Sequence, residues 1–344
     1  MLYILPADAD GGDGFDELDM ALIRMLQANG RESFVQLARK TGQPERLVAR
    51  KVEQLVSRGV IQVAPVCNPA KLGFRSMAII LIRLRGGCSA EGFVREMLAH
   101  PVIDYVAITL GQWDVLIEVL GTDDIEMRRF IERQVSGHVD VAAVEVHPYI
   151  GLAYQQPVWD DVQEAFEPRF EMFEAEADVL DETDRRLITL LSRNGRATFH
   201  KLAEDMQVSE SYIRKRFNAL LSSGEMKVHA LTNPVSLGYT THCWLRLKLE
   251  NGHSLRRATQ SIAALEHIAY VAACTGAADL LVEVICRSKA ELRQLLGERM
   301  KEVEGIRSID TLLCTELYYR SVQYGQPPAE EPAQAEPVRE GAET

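Results

Sequence analysis

The sequence has few cysteines, no long apolar run and no excess of positive charge, and each shortage excludes something. Its six cysteines (Cys67, Cys88, Cys243, Cys274, Cys286, Cys314) contain no C-x-x-C pair, so the usual zinc and thioredoxin-like frames are absent. Reduced, mostly buried thiols are expected instead. No stretch of about 18 uninterrupted apolar residues is available to span a bilayer. Met1 to Phe15 has neither the basic start nor the apolar run of an export signal, so a cytoplasmic location is expected. Among catalytic patterns, G-x-S-x-G, H-E-x-x-H, the P-loop and a complete G-x-G-x-x-G are all missing, and the glycine-rich run Gly11-Gly12-Asp13-Gly14 has no strand before it. The eight histidines are scattered, and Cys243 beside His242 suits a core or surface role. The expectation is a non-enzyme, with no catalytic residue, no resident cofactor and no metal.

What is present is a chain of 344 residues, 47% of them hydrophobic, enough for two or three domains with real cores. Lys plus Arg number 38 against 50 Asp plus Glu, a net charge of −12 that taken whole argues against a nucleic-acid partner. Location reverses that inference. Residues 1–14 carry −3, residues 160–178 carry −7 and residues 325–344 carry −4, which leaves +2 for everything else.

The chain also repeats itself at an offset of 165 residues. Phe15-Asp16-Glu17-Leu18-Asp19 answers Leu180-Asp181-Glu182-Thr183-Asp184, and Asn29-Gly30-Arg31 answers Asn194-Gly195-Arg196. Asn68-Pro69, Leu72-Gly73, Tyr105-Val106-Ala107, Gly111 and Asp114 recur as Asn233-Pro234, Leu237-Gly238, Tyr270-Val271-Ala272, Gly276 and Asp279. Each copy is too long for a solenoid unit, so the reading is a duplicated two-part module. Residues 155–179 form an acidic connector and residues 321–344 an acidic Pro-, Glu- and Ala-rich tail. These two segments and residues 1–14 are expected to be disordered or linker.

In the first part of copy one (15–66), Leu22, Ile23 and Leu26, then Phe34, Leu37 and Ala38, recur at helical spacing around the Asn-Gly-Arg turn. A third helix begins near Pro44, a residue suited to a first turn, and runs to about Ser57. Its Val48, Val52 and Leu55 face inward, which turns Arg46 and Arg50 outward with Lys51 at the flank. Copy two (180–231) repeats this, with Ser209 as the N-cap, Ile213, Phe217 and Leu220 inward, and Ser211, Arg214, Lys215 and Asn218 outward. Three short helices with a basic outer face on the third make a helix-turn-helix unit, whose last helix enters a DNA major groove. Residues 31–58 carry +4 and residues 196–223 carry +2, so the charge is where such a contact needs it. Arg46 against Ser211, and Ala49 against Arg214, mean that the two copies should not read DNA alike.

The second part of each copy (75–154 and 240–320) has the order βαββαβ, the split βαβ plan of ferredoxin-like domains. Met77–Leu84 and Val115–Leu120 are apolar on both faces. Helices cover one face, and the other should meet a second sheet, either the other copy's or another chain's. The fold class expected is therefore α+β: two winged helix-turn-helix domains and two βαββαβ domains in tandem.

At this point each copy resembles a member of the Lrp/AsnC (feast/famine) family of transcriptional regulators. The resemblance rests on the Leu/Phe-Asp-x-x-Asp opening, Asn-Gly-Arg, the pairs Arg50-Lys51 and Lys215-Arg216, Gly59-Val60-Ile61, Asn-Pro, Leu-Gly and Gly-x-x-Asp, and it spans about 280 residues. Gly224-Glu225-Met226 departs from it. The resemblance implies double-stranded DNA contact by Arg46, Arg50, Lys51, Ser211, Arg214, Lys215 and Arg216. It also implies RAM-type sheet domains that assemble into a homo-oligomer and bind an amino acid or related metabolite at their interface, near Gly111 and Asp114, with Trp113 as an aromatic wall, and near Gly276 and Asp279. Gly-x-x-Asp is equally well a hairpin turn chosen for its backbone. Two alternatives stand beside this: a metabolite sensor without DNA binding, and an enzyme resembling the sirohaem decarboxylases. The His-Asn-Tyr segment of the latter is missing where the chain has Tyr105-Val106-Ala107-Ile108-Thr109.

Overall fold

The computed structural model describes residues 2–5, 14–155, 171–172 and 179–320. Strand β1 (Leu2–Leu5) precedes the first tri-helical unit, α1 (Glu17–Ala28), α2 (Phe34–Thr41) and α3 (Glu45–Ser57). Next come β2 (Ile61–Cys67), β3 (Ser76–Leu84), α4 (Ala90–Met97), β4 (Ile103–Leu110), β5 (Val115–Gly121), α5 (Asp124–Phe130) and β6 (Val141–Gln155). After β7 (Glu171–Met172) the second half runs α6 (Glu182–Arg193), α7 (Phe199–Met206), α8 (Glu210–Ser222), β8 (Met226–Thr232), β9 (Thr241–Leu249), α9 (Leu255–Ala263), β10 (Ile268–Cys274), β11 (Leu280–Cys286), α10 (Lys289–Gly297) and β12 (Ile306–Arg320). No helix among the described residues is long and apolar enough to cross a membrane.

The helix ends follow from local chemistry. Asp16 accepts from the Asp19 N–H while the Asp19 carboxylate accepts from Asp16, a capping box that starts α1. Asp181 caps α6 through Asp184, and Ser209 caps α8 through Tyr212, as expected. Pro44 stands one residue earlier than expected, as the N-cap of α3. The helix expected over Asp124–Val135 stops at Phe130 and continues as a π turn over Ile131–Ser136.

The two tri-helical units share one core, in which Leu22, Leu26, Val48 and Val52 join Leu187, Leu191, Ile213 and Phe217. The strand after each third helix does not stand alone: β2 pairs antiparallel with β8, Ala64 opposite His229. Each Asn-Gly-Arg turn then inserts under the other half's strand. The Gly30 N–H donates to the Val228 carbonyl at 2.8 Å and the Gly195 N–H to the Val63 carbonyl at 3.0 Å. Arg31 donates to the carbonyls of Gly195 (2.6 Å) and Ala197 (2.8 Å), and Arg196 to those of Gly30 (2.6 Å) and Glu32 (2.9 Å). The guanidinium of Arg31 lies 5.0 Å over Phe199 and Phe217, and that of Arg196 lies 4.6 Å over Phe34. The turn thus stops a helix and also joins the halves. Glycine is required by close approach, since a Cβ on Gly195 would lie 2.3 Å from the Val63 oxygen.

The sheets do more than stack. Eight strands close on themselves in the order β12-β4-β5-β3-β6-β10-β11-β9, with β9 pairing back onto β12. Closure depends on the last strand of each half, which runs 15 residues. Val141 to Pro148 of β6 pairs with β3, and Tyr149 to Gln155 pairs with β10 of the other half. In β12, Ile306 to Cys314 pairs with β9, and Leu313 to Tyr319 pairs with β4. The last strands expected over Val139–Val146 and Ile309–Leu313 were therefore too short, because periodicity within one copy does not reveal a partner in the other. Alternation splits the strand residues as closure demands. Ile79, Leu81, Ala107 and Leu116 fill the interior with Trp244, Ala272 and Leu281, while Ile80, Ile82 and Val106 face Phe93, Val94 and Met97 outside.

The disordered start and the unstructured connector that the sequence leads one to expect both need correction. Leu2–Leu5 pairs with β12, and Glu171–Met172 of the acidic connector pairs with β6. The rest of segments 1–14, 155–179 and 321–344 lies outside the described residues, apart from residue 14, the end of β6 at 155 and residue 179.

Gly195→Ala is expected to lower stability by about 1 to 3 kcal/mol, the usual cost of overpacking. Gly297→Ala, where a Cβ meets nothing within 4 Å, should change little. Urea denaturation of both variants checks this, and equal midpoints would refute the close approach.

Candidate nucleic-acid interface and effector region

Helices α3 and α8 bury one stripe each, Val48, Val52 and Leu55 in α3 and Ile213, Phe217 and Leu220 in α8. Arg46 and Arg50 stand exposed on α3, and Ser211, Arg214 and Lys215 on α8. Arg214 pairs with Glu210 at 2.8 Å one turn back and lies 4.5 Å over Phe199. Ser211 Oγ lies 3.1 Å from Ser209 Oγ at the helix start. Lys51 and Arg216 require correction as free cations of a DNA face. Lys51 donates to Asp16 (2.7 Å) and Asp19 (2.8 Å) of the α1 capping box. Arg216, its counterpart at the repeat offset, is held by Asp181 and Asp184 at the start of α6. Both are only partly exposed and fix the third helix to the first. The sequence carried this signal in the Asp-x-x-Asp opening of each copy, which recurs in step with the Lys51/Arg216 position.

The Gly-x-x-Asp hairpins connect β4 to β5 and β10 to β11. Gly111 (φ 130°) and Gly276 (φ 107°) occupy backbone that favours glycine. The Asp114 carboxylate accepts from the Leu84 N–H at 2.7 Å, and the Asp279 carboxylate from the Leu249 N–H at 2.7 Å. Both aspartates thereby tie their hairpin to the end of a neighbouring strand. Asp279 also accepts from Lys248 Nζ at 2.8 Å. Trp113, expected as an aromatic wall for a ligand, is 5% exposed within the barrel core, and its indole N–H has no hydrogen-bond partner among the described residues.

The barrel also holds polar groups that the sequence reading passed over. Tyr105 donates to Glu283 at 2.9 Å and accepts from the Trp244 indole at 3.1 Å. Tyr270 and Tyr149 both donate to Glu118, at 2.7 and 2.6 Å. Tyr105 and Tyr270, like Glu118 and Glu283, are equivalent at the repeat offset, so each half supplies a tyrosine to the other's carboxyl. A single acidic residue inside each apolar strand β5 and β11 was the available signal. Burial pushes Glu283 up to about 7 against the hydrogen bond from Tyr105, and it raises Glu118 against its two tyrosine donors. A less symmetric group lies near the Gly276 hairpin. Arg246 pairs with Glu145 at 2.6 Å, and His147 Nε2 sits 2.7 Å from Glu145 at an angle outside hydrogen-bond geometry. Burial lowers the pKa of His147. At the repeat offset these residues become Leu81, Asp310 and Leu312.

With this geometry in view, the comparisons with known proteins are decisive. The description "Lrp/AsnC ligand binding domain" matches residues 242–324, "AsnC-type helix-turn-helix domain" matches 180–221 and "Winged helix-turn-helix DNA-binding" matches 15–62. An uncharacterized HTH-type transcriptional regulator of Pyrococcus abyssi is 32% identical over 139 residues, 40% of this chain and 87% of that protein. The chain belongs to the Lrp/AsnC family. A second relative, the HTH-type transcriptional regulator FL11 of Pyrococcus furiosus, is 27% identical over 34% of this chain and 78% of its own. Among solved structures, the siroheme decarboxylase NirDL matches with a TM-score of 0.59 and 14% identity, over 89% of this Lrp/AsnC chain and 96% of its own. At that identity the likeness is one of fold alone.

The buried carboxyl gives a pH test. Glu283, ordinarily near 4.5, keeps its proton up to about 7 in the folded chain. Its stabilising contribution is therefore complete below the unfolded value and lost as pH rises through the folded one. Glu283→Gln retains the acceptor for Tyr105 but cannot ionise. Its stability relative to the parent should increase across pH 4.5 to 7 in urea titrations; parallel profiles would refute the assignment.

Proposed function

We propose that this Lrp/AsnC-type chain is a sequence-specific DNA-binding transcriptional regulator, not an enzyme, that holds its two recognition helices within one polypeptide. The observation carrying this reading is the pair of third helices with exposed Arg46 and Arg50 on one and Arg214 and Lys215 on the other, fixed together by reciprocal Asn-Gly-Arg contacts. A two-fold protein arrangement suits two half-sites about one helical turn, roughly 34 Å, apart. Phosphate contacts supply most of the affinity, and base contacts the choice of sequence. Ser211 in place of Arg46, and Arg214 in place of Ala49, make the preferred operator asymmetric. Lys51 and Arg216 support this surface from behind by orienting α3 and α8.

The effector is an amino acid or related small metabolite bound at the sheet domains, near Gly111, Asp114, Gly276 and Asp279. It acts by preferring one of two arrangements of the halves, or of assembled chains, and so shifts operator affinity. The hairpins contribute unequally: Ala277 and Ala278 replace Gln112 and Trp113, and only the Gly276 hairpin adjoins the Arg246, Glu145 and His147 group. A second reading, a tetrapyrrole-acting enzyme, draws on the whole-chain likeness to the siroheme decarboxylase NirDL. The missing His-Asn-Tyr segment weighs against it. Mixing the chain with sirohaem and recording the visible spectrum separates the two.

Arg50→Ala combined with Lys215→Ala should weaken binding to all sequences and flatten the salt dependence by about one unit of slope per lost phosphate contact. Gel shifts over a salt series read this directly, and unchanged affinity would reject the proposed face. Isothermal titration with amino acids should show unequal sites; two identical sites would reject the asymmetry.

A further inference from the structure

We propose that the second half carries a divalent transition-metal site built from His267, Cys286 and Glu291 on the outer side of the barrel. The three come from separate elements: the residue just before β10, the last residue of β11 and the first turn of α10. Pairing of β10 with β11 brings the first two together, with the Ile285 N–H donating to the His267 carbonyl at 2.9 Å. Their ligand atoms lie within 4.8 Å of one another, and His267 Nε2 is 3.9 Å from Glu291 Oε2. The edges of a tetrahedral zinc site, from bond lengths of about 2.0 to 2.3 Å, are roughly 3.3 to 3.8 Å, so small side-chain rotations close the set.

Two further observations support a ligand at this place. A cavity of about 280 Å³ is lined by His267 and Glu291 together with Gln294 and Arg299, which provides an entry path and room for a fourth ligand such as water. The first half, at the repeat offset, has Val102 for His267 and Gly121 for Cys286, and retains only the carboxylate as Glu126. There the carboxylate oxygen is taken by the backbone N–H (2.9 Å) and hydroxyl (2.6 Å) of Thr122. In the second half Arg287 replaces Thr122; its backbone N–H donates to Glu291 at 2.8 Å and its guanidinium reaches the Tyr239 hydroxyl at 3.3 Å. The copy that has the histidine and the thiol thus lacks the hydroxyl that occupies the carboxylate in the other.

One nitrogen, one sulfur and one oxygen donor suit a borderline-soft divalent ion such as Zn²⁺ or Co²⁺. Three protein ligands leave one position open, the pattern of a reactive or sensing centre more than of a closed structural one. The ion binds the thiolate, so the Cys286 thiol must give up its proton. As the metal–sulfur bond forms the S–H bond breaks, and one proton leaves for solvent per ion bound. Affinity therefore rises with pH. The bound ion would join the start of β10, the end of β11 and α10 in one half only.

Titration of the full chain with Co²⁺ tests this. A thiolate-to-cobalt charge-transfer band should appear at one equivalent and disappear on addition of Zn²⁺. Cys286→Ser should abolish the band, while His267→Asn, which suits the left-handed backbone (φ 70°) at this partly exposed position, should weaken Co²⁺ binding by at least about tenfold. Cys88→Ser should change neither. Absence of the band at excess Co²⁺, or a band that survives both ligand substitutions, overturns the site.

Discussion

Strands β6 and β12 each begin in one sheet and finish in the other, and most of the molecule's behaviour follows from that exchange. A four-stranded sheet with one face against helices leaves its second face and both edges unsatisfied. Here each half extends its last strand along the free edge of the other, so closure removes the edges and encloses the second faces in a single step. Neither half has a complete sheet without its counterpart. The tri-helical units obey the same logic on a smaller scale. Each contributes one strand to the β2–β8 pair and one Asn-Gly-Arg turn to the other's carbonyls, so α3 and α8 belong to one connected assembly.

Closure also explains the polar groups in the barrel. A carboxyl inside a closed sheet is costly unless hydrogen-bonded, and the tyrosines that satisfy Glu118 and Glu283 come across from the opposite half. Apolar packing alone would accept a slipped register. The reciprocal tyrosine contacts do not, because a shift of one residue would turn each hydroxyl to the other face of its strand.

Much of this was legible in the sequence and some of it could not be. The 165-residue offset, the helix caps, the stripe of Val48, Val52 and Leu55, and the order βαββαβ all follow from local spacing, which records what a residue does within its own element. Contacts between copies leave no such trace. Val141 to Val146 alternates as any strand does, yet nothing nearby tells that Tyr149 to Gln155 continues it against β10. The candidate residues divide in the same way. Arg46 and Arg50 were placed correctly on the exposed face by helical geometry, whereas Lys51 looked equivalent until Asp16 and Asp19, more than thirty positions away, were seen to hold it. Trp113 is legible as a hairpin residue, whereas its burial in the barrel core depends on strands of both halves.

A two-chain assembly with these contacts would be governed by concentration: dilute it and the halves part, taking the spacing of the recognition helices with them. Residues 1–344 form one polypeptide, so the second half is always present at the high local concentration set by the chain itself. The strand exchange is then a first-order event whose balance does not depend on how many copies a cell contains. The spacing of the two third helices is therefore built into each chain and survives dilution.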